Sequence, residues 1–434
     1  MTRRADPPAG SAAPETSGAP ASAPVPPQMG ALASVSPAAS AAKHGSGCAP
    51  LAAPLIVHLI HELGVGGLEN GLLNLIQQIP PQRYRHAIVC LTGHTGFHAR
   101  IVRDDIAIVC INKRDGKDWR HYLRLFRLLK ALSPQLIHTR NLSSLEGQLL
   151  AAAAGIRLRV HSEHGRDIAE LRGQRRHRLL RRLLRPLVGH FIAVSRELES
   201  WLIGSIGARP ARVSHIANGV DSVKFHPRLG PSAAVGPPGF LCEDAVVIGS
   251  VGRMVELKDH TTLVQAFLQL LQDEHMPREQ LRLIIVGDGP CRDACQQLLR
   301  TAGAGHLAWL PGVRDDIPQL MRAMDVFVLP SLTEGSSNTI LEAMASGLPV
   351  VATAVGGNVD LVQAGWTGTL VQPRSPPQLA AAIADYCLID GLAQRHGRRA
   401  RRRVLSHHSL PVMAAAYLAV YDALCAPPST NPKG

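Results

Sequence analysis

The sequence predicts an α/β protein built from two doubly wound, parallel-sheet domains that face each other across a cleft. Three observations predict it. Short apolar runs alternate with stretches of helical periodicity; the rhythm stops at a cluster of prolines (Pro227, Pro231, Pro237, Pro238) and then restarts; and glycines follow the predicted strand ends.

The chain opens on a tail, residues 1–52. Of its first 50 residues 35 are Ala, Pro, Ser or Gly, too little apolar surface to offset backbone entropy, so this segment is expected to be disordered. The N-terminal domain is expected over 53–227. Residues 54–60 read as a buried strand, 64–67 as a glycine turn, and Leu68, Leu72, Leu75, Ile76 and Ile79 as one face of a helix. Further strands are expected at 86–91, 106–111, 135–138, 158–162, 190–195 and 213–216, with helical stretches such as 119–132 between them. Residues 228–240 form the proline-rich linker. The C-terminal domain, 241–410, repeats the pattern with strands at 245–251, 281–286, 306–310, 326–330, 350–353 and 369–371. An apolar helix at 411–425 is long enough to cross back to the first domain, and 426–434 read as a second disordered tail. In such sheets ligands sit outside the carboxyl ends of the strands, so the facing domains should enclose the site.

Composition narrows the function. Aromatics are only 4% of the 434 residues, which counts against stacking platforms for single-stranded nucleic acid. No apolar run approaches the ~20 residues of a membrane-spanning helix, and no apolar segment follows Arg3 and Arg4 to make a secretory signal. The eight cysteines are scattered without a CxxC pair, as for reduced thiols in a cytoplasmic protein. His58 and His61 have HxxH spacing, but His58 falls inside the first strand and no third ligand is near, so packing is the better reading.

The formal charge of +13 has two sources. Residues 157–185 carry ten arginines against three acids, and 395–403 carry six arginines and no acid, which together make up the whole surplus. Over 175–187, Leu179, Leu180, Leu183, Leu184 and Leu187 project to one helical face and Arg178, Arg181, Arg182 and Arg185 to the other. The plain expectation is a surface helix with leucines inward and arginines solvated. The sharper one is attraction to an anionic membrane surface. Without a helix-turn-helix, zinc finger or aromatic RNA platform, a nucleic-acid partner is not expected.

The most informative stretch runs from Leu329 to Thr353 and reads strand, turn, helix, strand. Glu334 lies in the turn, followed by Gly335. Ser336, Ser337, Asn338 and Thr339 stand at the helix start, where unpaired backbone amides make an anion site. Glu342 follows inside the helix, placed to reach a ribose. Gly252, Arg253 and Lys258 follow the first strand of the same domain, where two cations can hold phosphates and stabilise a leaving group. Singly, each carboxylate could be a plain surface charge and the two cations a solvated loop pair; their combination favours a site.

That combination, with the Gly287-Asp288-Gly289-Pro290 turn, the Glu334-x7-Glu342 block and Gly356-Gly357, resembles the retaining, nucleotide-sugar-dependent glycosyltransferases of family 4. Gly66-Gly67-Leu68-Glu69-Asn70, Val194-Ser195 and Asn218-Gly219-Val220-Asp221 resemble that family's acceptor-side and hinge motifs. The resemblance covers roughly residues 54–425. More narrowly, residues 66–74, 113–118, 138–141 and 163–165 resemble bacterial exosortase (PEP-CTERM)-associated sugar transferases, which accompany exopolysaccharide gene clusters.

The resemblance implies a GT-B fold, with the donor held by the C-terminal domain and the acceptor by the N-terminal one. Arg253 and Lys258 would bind the diphosphate beside Gly252 and Gly287. Glu334 would contact the sugar hydroxyls and Glu342 the ribose. Gly66 and Gly67, with Glu69 and Asn70, would form the acceptor or phosphate loop. His164 matches the family's active-site histidine near the transferred sugar. At Ser336-Ser337 this chain departs from the family, many of whose members carry an aromatic residue and a glycine there, so the resemblance does not specify those contacts. No Asp-x-Asp occurs, so neither a metal nor a cofactor beyond the sugar nucleotide is expected.

The function expected from all this is retaining transfer of a sugar from a nucleoside-diphosphate donor to a saccharide, lipid-linked by preference, in exopolysaccharide biosynthesis. The protein is expected in the cytoplasm or on the inner face of the cytoplasmic membrane. The alternatives are a nucleotide-sugar epimerase or phosphorylase of the same plan, or a non-catalytic protein that binds membrane or nucleic acid through its arginine face.

Overall fold

The computed structural model describes residues 53–426 other than 65, 96–100, 102, 115, 117, 167–174, 231–234 and 243. The tail expected at 1–52, and that at 426–434 beyond Ala426, lie outside the described residues, as do Asp115 and Lys117 of the 113–118 segment and Arg172 of the basic stretch.

The N-terminal domain begins with β1 (Leu55–Ile60), α1 (Gly67–Gln78), β2 (Arg85–Cys90) and β3 (Ala107–Cys110). It continues through α2 (Arg120–Leu132), β4 (Leu136–Arg140) and two short helices, α3 (Asn141–Leu145) and α4 (Gly147–Ala153). It ends with β5 (Leu158–Glu163), α5 (Arg175–Leu184), β6 (His190–Ala193), α6 (Arg196–Trp201) and β7 (Val213–His215). All seven strands are parallel, in the order β3-β2-β1-β4-β5-β6-β7. Every residue of β1 is buried, as an apolar strand covered on both faces must be.

The C-terminal domain repeats the plan. Its elements are β8 (Val246–Val251), α7 (His260–Leu270), β9 (Leu281–Val286), α8 (Arg292–Thr301), β10 (Ala308–Gly312), α9 (Ile317–Ala323) and β11 (Val326–Leu329). Then come α10 (Asn338–Ala345), β12 (Val350–Thr353), α11 (Asn358–Leu361), β13 (Gly368–Val371), α12 (Pro376–Leu388) and α13 (Leu392–His407). The six strands are parallel in the order β10-β9-β8-β11-β12-β13. The strand expected at 306–310 is displaced to β10 because Gly305–Leu307 turn as a 3-10 helix that buries Leu307.

The last helix, α14 (Leu410–Cys425), lies against α1 of the first domain. Its Leu410, Met413, Tyr417 and Tyr421 join Ile56, Leu75, Leu136 and Ile192 in one core. The opposite face of that sheet is covered by α2 and α4, through Leu125, Leu129 and Ala151, and by Leu184 of α5 against a core that includes Phe191 and Ala193.

Helix α5 corrects the expected orientation. Leu179 and Leu183 are 57% and 66% exposed, whereas Arg181 is 3% exposed. Glu163, fully buried at the end of β5, accepts from Arg181 Nε at 2.6 Å, and the guanidinium lies 5.1 Å from the centre of the Trp201 ring. Stranding a buried carboxylate costs about 3–5 kcal/mol, the same order as leaving two leucines exposed at ~1.5–3 kcal/mol each. The helix keeps the ion pair and the Trp201 contact and leaves the leucines outward. The second arginine run is likewise partly structural: Arg401 donates to the carbonyl of Phe225 at 3.2 Å, and Arg403 to those of Asp360 and Leu361 at 2.9 and 3.1 Å.

Candidate active site

In each sheet the strand order reverses once, between β1 and β4 and between β8 and β11. Segments leaving the carboxyl ends of those strands diverge there and open a crevice. The sequence-predicted residues lie on these segments.

On the donor side, β8 runs into Gly252 and Arg253 and then a 3-10 turn ending at Lys258, while β11 runs into Ser331 and Glu334. Lys258 Nζ lies 2.5 Å from Glu334 Oε1, and Ser331 Oγ donates to the same oxygen at 2.6 Å. The Glu334 side chain is only 9% exposed, so both partners compensate its burial. Arg253 is exposed. Gly287 supports this wall from below: its φ is +137°, and a Cβ there would collide with the carbonyl oxygen of Gly252.

Ser337 caps α10, its Oγ accepting from the amide of Ile340 at 3.3 Å. Asn338 is the first residue of that helix, Thr339 lies 3.1 Å from the Ser337 hydroxyl, and Glu342 sits half-buried a turn further on. The hydroxyl of Ser336 is buried with no hydrogen-bond partner.

On the acceptor side, Gly66 precedes α1 in extended conformation and offers no capping side chain. Asn70 Nδ2 donates to its carbonyl at 3.0 Å. Burial lifts the Glu69 carboxyl above its ordinary range, and the local backbone, Arg253 across the cleft and Arg140 offset part of the rise. His164 follows β5, its amide donating to Asn141 Oδ1 at 2.8 Å. Burial first, then the Arg140 charge, pull its imidazole down to about 3, so it is neutral near pH 7. Its Nε2 is buried with no partner. His164 Nε2 and Ser336 Oγ are the kind of unmet polar atoms that a ligand satisfies.

The two walls meet. Asn338 Nδ2 donates to the Gly67 carbonyl at 3.1 Å, and Asn338 Oδ1 accepts from Asn218 at 2.8 Å. Gly335 lies so close to His164 that a Cβ would strike the His164 carbonyl oxygen. The structure thus joins Lys258 to Glu334, Asn338 to Gly67 and Gly335 to His164, and sets Glu69 opposite Arg253. Glu342 lies one turn further along α10.

The bridging role of Asn218, the Ser331 bond to Glu334 and Arg140 were missed by sequence reasoning. Arg140 is 2% exposed and bonded to His58 at 3.1 Å. Its sequence signal was its place in the 138–141 segment singled out by resemblance, with no role assigned to it. His58 is packed as expected, 2.9 Å from His86. Among the described residues no group of three His, Cys, Asp or Glu side chains is placed to hold a metal, and no helix is long and apolar enough to cross a membrane.

Known proteins give this geometry a context. The family described as "Glycosyl transferases group 1" matches residues 245–387, and "Glycosyltransferase Family 4" matches 65–224. A UDP-Gal:alpha-D-GlcNAc-diphosphoundecaprenol alpha-1,3-galactosyltransferase of Escherichia coli is 26% identical, over 71% of this chain and 81% of that protein. The lipopolysaccharide core mannosyltransferase LpcC of Rhizobium leguminosarum is 31% identical, over 58% of this chain and 69% of LpcC. The match to several D-inositol 3-phosphate glycosyltransferases spans only about half of their length. Among solved structures, Anabaena HepE in complex with UDP and glucose superposes with a TM-score of 0.71 at 20% identity, covering 85% of this chain and 99% of HepE. That likeness speaks to the fold.

Proposed function

Since the chain belongs to the family 4, group 1 glycosyltransferases, we propose that it moves a hexose from a nucleoside-diphosphate sugar to a lipid-linked saccharide, with retention at the anomeric carbon. The observation that carries this reading is the Lys258–Glu334 pair at 2.5 Å, between the two strands that flank the reversal of the donor-side sheet. A bound donor would put its diphosphate at Lys258, Arg253 and the start of α10, and its sugar hydroxyls at Glu334.

The C1–oxygen bond to the diphosphate breaks with its electron pair going to that oxygen. The acceptor hydroxyl forms the new bond to C1, and its proton passes to the departing diphosphate. Lys258 and Arg253 stabilise the charge that develops on the leaving oxygen. Neutral His164 offers Nε2 to a sugar hydroxyl. Such side-chain neutralisation requires no metal ion.

Two observations support the lipid-linked acceptor. The E. coli relative's own name specifies a diphosphoundecaprenol-linked sugar. The outer face of the acceptor domain, away from α1 and α14, also leaves Trp119 73%, Leu123 50%, Leu149 54%, Leu179 57% and Leu183 66% exposed. Arg120, Arg175, Arg176 and Arg182 are exposed on the same helices, a mixture suited to the anionic inner face of the cytoplasmic membrane. Placement in exopolysaccharide assembly rests on the exosortase-type segments at 66–74, 138–141 and 163–165.

The test is calorimetric titration with UDP, GDP and their sugars, followed by product analysis on a lipid-linked acceptor. A new glycosidic bond with the donor's anomeric configuration is expected. A free epimer or a sugar phosphate would replace the reading, and no affinity for any nucleoside diphosphate would end it.

A further inference from the structure

Where the chain crosses between the domains lies a second cavity, of about 440 Å³, which the proposed transfer does not use. Arg196 and His215 reach it from the acceptor domain, Asp360 and Arg403 from the donor domain, and His407 and His408 from the crossing into α14. We infer that this cavity binds a small organic phosphate, and that its occupancy is coupled to the arrangement of the two domains.

His408 is 7% exposed, yet neither of its ring nitrogens has a partner, and Nε2 of His215 is buried in the same condition. Buried polar atoms are nearly always paired, so unmet ones beside a cavity point to a ligand. The lining carries two guanidinium groups and one carboxylate. That carboxylate keeps its charge while accepting from the Arg196 backbone amide at 2.7 Å, so the two guanidinium groups leave the lining one positive charge in surplus. Arg403 spends its bonds on the backbone carbonyls of Asp360 and Leu361 and so keeps its full charge. Arg196 bonds Glu199 at 3.0 Å and, 67% exposed, lines the cavity's open edge.

The two guanidinium groups, with the single N–H that buried, neutral His408 keeps, suit phosphate oxygens. Val412 and Met413 of α14 supply an apolar wall, which suits an organic body behind the phosphate. The volume lies in the ordinary range of small-molecule pockets.

Both domains and the returning helix contribute walls, and the domains are already tied here by the Arg196–Asp360 bond and by Val220 donating to the His408 carbonyl at 2.9 Å. A ligand that fits this arrangement favours it, and by linkage the donor and the cavity ligand then alter each other's affinity by one factor.

The experiment is calorimetric titration of the full chain with phenyl phosphate, with and without saturating UDP, and with inorganic phosphate as a second probe. Saturable binding of phenyl phosphate that exceeds that of inorganic phosphate, at an affinity that UDP alters, is expected. Loss of one charge-assisted contact should weaken it about tenfold in Arg196→Gln, and likewise in His408→Gln, with fold checked by an unchanged melting temperature. Arg196 is exposed and is not among the residues proposed to hold the donor, so its effect tests this cavity whether or not UDP binds. No saturable binding in the absence of UDP, an affinity that saturating UDP leaves unchanged, equal binding of inorganic phosphate, or unchanged affinity in Arg196→Gln overturns the inference.

Discussion

Lys258 and Glu334 hold each other at 2.5 Å, so a donor that claims both must separate them. In the proposed reaction Lys258→Ala removes the cation at the leaving oxygen, and it should lower kcat roughly 100- to 1000-fold, the usual cost of one preorganised charge-stabilising group. Its fold should survive, because Ser331 still bonds Glu334. Steady-state transfer rates beside a melting curve check this, and wild-type turnover would remove Lys258 from the mechanism. Asn338 acts differently, holding Gly67 and Asn218 together across the cleft. Asn338→Ala loses two hydrogen bonds of about 0.5–1.5 kcal/mol each, which should cut kcat/KM roughly tenfold while leaving UDP affinity within about twofold. An equal fall in UDP affinity would make Asn338 a donor ligand instead of a bridge. Arg253, Lys258 and Glu334 were legible in the sequence because their chemistry is written in local motifs. The Asn338 bridge was not, because its partner lies 271 positions away.

Helix α5 shows how an element can satisfy its periodicity and still rotate against it. The sequence pattern located the helix and almost every strand within a residue or two, since apolar runs report burial directly. It misjudged the face of α5 because the residue that Arg181 pairs with, Glu163, lies on a separate strand and leaves no mark in the helix's own periodicity. Arg181→Ala should therefore destabilise the acceptor domain by about 3–5 kcal/mol, the cost of stranding one member of a buried ion pair. Adding Glu163→Gln should recover part of that loss, as urea unfolding of both variants will measure. No recovery would mean that the Trp201 contact, and not charge, anchors the helix. The same rotation leaves Leu179 and Leu183 outward, so the double variant Leu179→Ser/Leu183→Ser should cosediment less with vesicles rich in anionic lipid yet retain transfer to a soluble acceptor. Undiminished cosedimentation would make this face an ordinary solvated surface.

At the scale of the whole molecule, the acceptor domain encloses a layer of polar side chains. His58, His86 and His138 are each at most 1% exposed, beside Arg140. His138 bonds the Tyr421 hydroxyl of α14 at 2.8 Å, which ties the returning helix to this polar layer. Burial, and then neighbouring charge, chiefly that of Arg140 around His58 and His138 and of Arg103 around His86, hold all three imidazoles neutral. His58 and His138 fall well below the usual value, and His86 falls to about 3. The unfolded chain takes up these protons near pH 6.5 and the folded one does not, so the unfolded state binds more protons and stability must fall as pH drops through that window. Three such groups acting together make that loss steeper than one alone would. Glu163 adds a later loss. Burial alone would raise its pKa, but His161 and Arg181 hold it down to about 2, and its contribution disappears only as pH falls from the ordinary carboxylate range toward that value. Urea unfolding at pH 7.5, 6.0 and 5.0 should give steadily lower midpoints, with the tyrosine signal of α14 lost alongside the sheet. Constant midpoints across that range would mean that the histidines are not held neutral, and the packing of α14 on this layer would need another explanation.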